Sequence, residues 1–263
     1  DARFLPPALG GLPREDAVSF LPQLVTLESR AFLAALSRLL ERRQGREALF
    51  TPAQLLVAIH GIEISAGPSP TPSLDQVKAA IQACLNNRRY FGKEALALTL
   101  ENMKQMTPLP KLFMWTVICM SRTASELGPF ILGLLREITP KVWGAREQWQ
   151  GFVMCCKLMA PASFPLLAEL SPEMLAAAAK RLPRPLLLNL KAFATGERCQ
   201  LAEMQRRRVV EVVDAAAAKP PAPKPTAEAA AAAAPAATTA AATTSGATEG
   251  SGVVDNGTDD EVE

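Results

Sequence analysis

Apolar residues recur at every third or fourth position through most of the first 214 residues, and this spacing restricts what the chain can fold into. Phe130, Leu134 and Ile138, for example, are four residues apart, so they line one face of a helix. Glycine is scarce here, and no segment sustains the alternation of apolar and polar residues that is typical of a strand. The sequence therefore predicts an all-α fold.

Capping motifs and proline-rich breaks mark where these helices begin and end. The segments TPAQ, SLDQ and SPEM place Thr51, Ser73 and Ser171 where a side chain caps a helix N-terminus. Breaks are predicted at SAGPSPTPS (65–73), TPLP (107–110), TP (139–140), AP (160–161) and LPRP (182–185). The predicted helices span residues 14–28, 29–43, 52–65, 74–88, 92–106, 110–123, 126–138, 142–159, 163–169, 172–182, 184–194 and 198–213.

Pairs of these helices recur at intervals of about 35–45 residues, the rhythm of stacked helical repeats. We therefore predict a HEAT/armadillo-like helical-repeat solenoid over residues 1–214, with a compact helical bundle as the alternative. Residues 215–263 are rich in Ala, Pro and Thr, contain no aromatic residue and carry two lysines against seven acids. Such a segment buries too little apolar surface to offset its chain entropy, so a disordered acidic tail is expected.

The side chains that catalysis or metal binding needs are few. His60 is the only histidine, and it lies between apolar residues of a predicted helix, so a packed or surface histidine is expected there. The five cysteines form no CxxC pair, which leaves a zinc site without ligands. No Gly-rich phosphate loop is present. We predict no enzymatic activity, no catalytic residue, no metal, no cofactor and no small-molecule substrate.

Two kinds of surface remain as candidates once catalysis is set aside. The apolar run Leu112–Met120 has nine residues, too few for a membrane helix, so we assign it to a packed helix. On that helix Trp115 is either a core residue or a partner contact flanked by Ile118 and Arg122. The densest basic points are Arg206–Arg208 and Arg88–Arg89. They keep direct RNA binding open as an alternative, with a solvated helix face as the simpler interpretation.

Four segments, in order along the chain, resemble one known family. They are LPQLVTL (21–27), TPAQLLVAIHGIE (51–63), KEALALTLENMKQMTPLPKLFMWTVI (93–118) and PKVWGAREQWQGFVMCC (140–156). Together they are similar to the carboxy-terminal domain of the symplekin family over roughly residues 5–195. The most specific pieces are TPLPKLFM and the spacing of Trp143, Trp149, Gly151 and Phe152. Trp115 departs from the family pattern, which has an arginine there.

The resemblance implies a non-catalytic, helical scaffold domain in the nucleus. It implies that the chain holds together protein subunits of the pre-mRNA cleavage and polyadenylation machinery, namely the cleavage endonuclease and its inactive paralogue, and that it contacts RNA only indirectly. We expect Trp115, Arg122, Lys141 and Trp143 to be the partner-binding residues. A HEAT-like adaptor in another assembly or transport complex is the alternative of the same class.

Overall fold

Twelve α-helices follow one another along the residues that the computed structural model describes, which are 13–41, 48–64, 71–196 and 201–218. No strand is present within those ranges. The helices are α1 Arg14–Leu24, α2 Ser29–Leu40, α3 Pro52–His60, α4 Leu74–Asn86, α5 Lys93–Lys104, α6 Phe113–Thr123, α7 Gly128–Trp143, α8 Arg146–Leu158, α9 Phe164–Glu169, α10 Pro172–Ala179, α11 Arg184–Thr195 and α12 Glu203–Ala218. A 3₁₀ turn, Ser125–Leu127, precedes α7.

The helices pack mainly on their neighbours along the chain. Each extensive helix–helix contact joins elements one or two positions apart, such as α3 with α5 and α6 with α8, except for the contact of α9 with α12. In a stacked-repeat protein each unit touches only the next, whereas a bundle also brings distant helices together. The prediction of an all-α helical-repeat solenoid is therefore confirmed.

The predicted N-terminal caps form as the sequence indicates. Thr51 accepts from the backbone N–H of Gln54 at 3.3 Å, and the Gln54 side chain accepts from the Thr51 N–H at 3.2 Å. Ser73 and Gln76 repeat this reciprocal arrangement before α4. Ser171 accepts from the Met174 N–H at 3.3 Å. Each cap satisfies backbone donors that the first helical turn leaves unpaired, so local sequence fixes these three helix starts.

The predicted break at residues 139–140 is wrong, because α7 continues through Pro140 to Trp143. Proline has no N–H to donate and normally ends a helix. Here the Thr139 hydroxyl donates to the Leu135 carbonyl at 2.8 Å, and Val142 is completely buried. Packing of this last turn on the core offsets the missing hydrogen bond. The following helix accordingly starts at Arg146, four residues later than predicted.

Other predicted boundaries also differ, most of them by one to three residues and four of them by more. The first helix ends at Leu24 and the third at His60, both before the predicted ends at residues 28 and 65. The last helix spans Glu203–Ala218, so it starts later than predicted and extends past residue 214. Residues 219–263, which hold most of the predicted tail, lie outside the described residues, and the division of the chain at residue 214 stays a prediction.

Candidate partner-binding surface

Helix α6 is anchored by the face that it turns to α8. Its buried residues are Phe113, Met114, Thr116, Val117 and Met120. Gly151 of α8 sits directly against this face, since a Cβ atom placed on it would lie only 2.5 Å from Met114 Cβ. Ordinary carbon contacts are about 3.5–4.0 Å, so only glycine permits this approach. The glycine in the motif formed by Trp143, Trp149, Gly151 and Phe152 is therefore a helix-packing residue.

The aromatic residues of the same motif form a cluster beside that contact. The Trp149 ring stacks on Phe152 with centroids 5.0 Å apart and an interplanar angle of 11°. Trp143, at the end of α7, meets Trp149 edge to face at 4.8 Å. Trp149 is only 6 % exposed, and Phe152 is fully buried. The cluster thus ties the end of α7 to α8, and it makes Trp143 partly a core residue.

His60 makes two hydrogen bonds, one within α3 and one that joins α3 to α6. Its Nδ1 lies 2.7 Å from the Leu56 carbonyl, which can only accept, so Nδ1 carries the proton. Its Nε2 lies 2.7 Å from Thr116 Oγ1 and accepts from that hydroxyl. Burial lowers the pKa of His60 to about 4, because the charged imidazolium would lose its hydration. Of the two expected alternatives, a packed or a surface histidine, the structure shows the packed one.

The opposite side of α6 remains accessible along two helical turns. Trp115, Ile118 and Cys119 are partly exposed, and Arg122 is exposed. Their spacing of three or four residues places them on one helix face. We call these four residues the α6 stripe. Trp115 also packs against the core, so this indole is partly buried and partly accessible, and its role as a partner contact stays a prediction.

The four predicted binding residues lie in two pairs. Trp115 and Arg122 are seven residues apart on α6, whereas Lys141 and Trp143 occupy the last turn of α7. Lys141 is exposed, and its Nζ donates to the Lys104 carbonyl at the end of α5. Across the described residues, no hydrogen bond, ion pair or ring contact connects one pair with the other. They are therefore separate features of the surface.

A groove that the sequence analysis missed opens between the TPLP turn and the corner that joins α7 to α8. It has a volume of about 620 Å³ and includes Lys141 in its wall. The lining residues are Met106, Thr107, Pro108, Leu109, Lys111, Lys141, Ala145, Arg146, Glu147 and Gln148. The proline-rich turn was a visible signal. The sequence did not show that this turn lies beside a corner more than thirty residues away in sequence.

One of the two predicted basic points is held within the fold. Arg88 donates to the Thr123 carbonyl and lies 3.8 Å from the Glu126 carboxylate. Arg89 lies 3.6 Å from Glu41. Both cations therefore have internal partners, and those partners lower the positive potential that this part of the surface could offer to a phosphate backbone.

The second basic point, at Arg206–Arg208, is also partly engaged. Arg206 Nε donates to the Leu201 carbonyl at 3.1 Å, and Arg208 donates to the Leu170 carbonyl at 3.2 Å. Of the three, only Arg207 is classed as exposed. The structure thus assigns these arginines to helix packing around α12, and it provides no observation that favours direct RNA binding.

The cysteines and acidic residues of the described ranges do not assemble into a metal site. Cys84, Cys155 and Cys156 are buried free thiols, whereas Cys119 is only partly buried. Cys199 lies outside the described residues. No group of three or more His, Cys, Asp and Glu side chains within those ranges is placed to hold a metal ion. Nor does any helix there combine the length and apolar character that a membrane crossing requires.

Comparison with known families places this surface in context. The family model described as "Symplekin tight junction protein C terminal" matches residues 1–182, well over half of the 263 residues. The chain belongs to the symplekin C-terminal family. The matched stretch contains the α6 stripe, the aromatic cluster and the groove. The resemblance based on the four segments is thus confirmed. No solved structure matches the chain.

Membership of the symplekin family supports a scaffold role in mRNA 3′-end processing.

Helices α11 and α12 lie after the matched stretch and pack on each other and on α9 and α10. Lys191 of α11 forms an ion pair with Asp214 of α12, with Nζ 2.6 Å from Oδ1. They therefore continue the helical stack that the family model covers.

Proposed function

We propose that this symplekin-family chain is a non-catalytic scaffold subunit of the pre-mRNA cleavage and polyadenylation machinery in the nucleus. It binds the cleavage endonuclease and its inactive paralogue through protein–protein contacts, and it meets RNA only through those partners. Family membership supports the scaffold role, and the named partners are our extension of it.

The α6 stripe is the observation that carries the proposal. Tryptophan and arginine are the residues most enriched at interface hot spots, and here they flank two further partly exposed apolar side chains. Arg122 makes no ion pair with another described residue, so its guanidinium is available to a partner carboxylate. The buried face of α6 fixes the helix, and the stripe is therefore presented in one orientation.

Affinity capture from a nuclear extract tests the proposal. The tagged chain is expected to recover the cleavage endonuclease and its paralogue, and the Trp115→Ala/Arg122→Glu variant is expected to recover much less of both. Losing one hot-spot tryptophan or arginine weakens binding by about 2 kcal/mol or more, roughly thirtyfold in Kd. Circular dichroism of the variant verifies that the fold is retained.

A matched control uses the same chemistry at another place on the solenoid. Leu98 is 52 % exposed on α5, and Lys180 is exposed after α10. The Leu98→Ala/Lys180→Glu variant should capture the partners as well as the unaltered chain does. Recovery of transport factors alone, without the endonuclease, would support the adaptor alternative and refute our proposal. Exclusion of a tagged chain from the nucleus would refute its nuclear part.

A further inference from the structure

The groove beside the TPLP turn has an apolar floor and a basic rim. Met106, Pro108 and Leu109 contribute the apolar surface on one side, and Ala145 contributes it on the other. The rim carries three cations, from Lys111, Lys141 and Arg146, against the single acid Glu147. None of the ten lining residues is buried. The groove is therefore open to solvent along its length, and its field favours a negatively charged occupant.

The walls of the groove are fixed before any ligand arrives. Gln148 at the start of α8 donates from Nε2 to the Pro110 carbonyl at 3.0 Å, which clamps the turn to the helix. Lys141 holds the end of α7 to the Lys104 carbonyl. Prolines at 108 and 110 restrict the backbone of the turn. A preformed wall reduces the ordering entropy that a binding peptide must overcome.

The rim cations keep most of their hydrogen-bonding capacity. Lys111 and Arg146 make no ion pair with any other described residue, and Lys141 uses one of its three donors. Arg146 is also the first residue of α8, where the helix dipole adds positive potential. A carboxylate placed over the rim would therefore meet unpaired donors from both walls.

From this geometry we propose that the groove binds an extended acidic peptide segment of a partner protein, with an apolar side chain in the floor and carboxylates on the rim. The inference rests on the proposed scaffold function and names a contact of that function beyond the α6 stripe. A nucleic acid fits less well, because the lining contains no aromatic ring on which a base could stack.

Fluorescence anisotropy on the full chain tests the proposal. The probe is a fluorescein-labelled peptide of about twelve residues, rich in Glu and Asp, with a central Leu-Phe pair, measured at about 0.15 M salt. A second peptide replaces Leu-Phe by Ser-Ser, and a third replaces every acid by its amide. Saturable binding is expected for the first peptide, and Kd should be about tenfold weaker or more for the other two.

The variants separate the groove from general charge. Lys111→Glu/Arg146→Glu is expected to weaken binding about tenfold or more, and Ala145→Trp should block the floor without removing a cation. The control Lys157→Glu/Lys180→Glu changes net charge equally at exposed positions away from the groove. Arg146→Glu places an acid at a helix N-terminus, where the helix dipole favours it, whereas Lys157→Glu places one near a C-terminus, where the dipole opposes it. The groove variant should therefore lose less stability than the control variant.

Equal weakening by the control variant, or equal binding of the Ser-Ser peptide, would overturn the proposal in favour of non-specific charge attraction. Binding of an RNA oligonucleotide that competes with the peptide and is lost in Ala145→Trp would reassign the groove to nucleic acid. Absence of any binding would refute the peptide site. Capture of the endonuclease by the unaltered chain is a separate readout, so the scaffold proposal can hold while this one fails.

Discussion

Adding one carbon atom at Gly151 should destabilise the domain, although alanine is the better helix former. In an isolated helix, Gly→Ala contributes about 1 kcal/mol of stability. At Gly151 the new Cβ would lie 2.5 Å from Met114 Cβ and 3.3 Å from its Cγ. A Cβ atom is fixed by the backbone, so no change of rotamer relieves the first contact, and α6 and α8 must move apart by about 1 Å.

The cost follows from how tightly the two helices are buried around this contact. Phe113 and Val117 on α6, and Phe152 and Val153 on α8, are all at most 3 % exposed, so separating the helices loosens their packing as well. Overpacking of this kind costs about 1–3 kcal/mol, and the rigid contact favours the upper end. After the gain in helix propensity, we expect a net loss of about 2 kcal/mol, a fall in Tm of roughly 4–8 °C.

Gly133 in α7 is the matched control. It is also within a helix, but nothing lies within 4 Å of the Cβ atom it would gain. Gly133→Ala should therefore raise stability by up to about 1 kcal/mol. Both variants are measured by thermal and urea unfolding followed by circular dichroism. If Gly151→Ala raised Tm as much as Gly133→Ala, the close approach would not be what requires glycine, and our account of the motif would be refuted.

Three further predictions concern the residues that hold α6 and the residue it exposes. The pKa of His60 is about 4 in the fold and about 6.5 when unfolded, so its contribution to stability is complete above pH 6.5 and decreases by about 3 kcal/mol as pH falls toward 4. In urea unfolding, the His60→Gln variant should therefore lose less stability between pH 7 and 4.5 than the unaltered chain does. An equal loss of stability would contradict the pKa shift. Thr116→Val leaves Nε2 of the histidine without a donor and should lower the free energy of unfolding by about 1–3 kcal/mol. Thr116→Ser keeps a hydroxyl and should lower it by less in the same assay. Equal effects of the two variants would exclude the hydrogen bond as the cause. Trp149→Ala should lower the free energy of unfolding by about 3–5 kcal/mol, because that ring is buried and stacked. Trp115→Ala should lower it by about half as much and should also weaken partner capture. The reverse order would show that Trp115 is the core residue.

Features decided by neighbouring residues could be predicted from the sequence. The caps at Thr51 and Ser73 depend on residues three positions away, so the motif and the structure agree. At Pro140 neighbouring residues do not decide the structure. The helix continues through this proline because Val142 is buried in the core, and the sequence around Pro140 does not reveal that burial. Tertiary packing decided the outcome against propensity.

The candidate site was predictable to a smaller degree for the same reason. The tryptophan and arginine of the α6 stripe were visible as a helical spacing within one segment. The roles of Gly151 and His60 depend on Met114 and Thr116, on another helix, so a single sequence shows the residues but not the contact. The groove likewise joins two segments that only the fold brings together.

The two proposed surfaces share a fixed frame, and this limits how partners can use them. Lys111 lies on the rim of the groove and immediately precedes Leu112, the residue before the first turn of α6. It is four residues before Trp115 in sequence, in the turn that leads into α6. Because Met114 and Thr116 lock α6 against α8 and α3, the distance from the groove to the stripe cannot change without breaking buried contacts. Under our two proposals, a partner segment that leaves the groove past Lys111 should also reach Trp115, and the two contacts should then reinforce each other through a short, rigid connection.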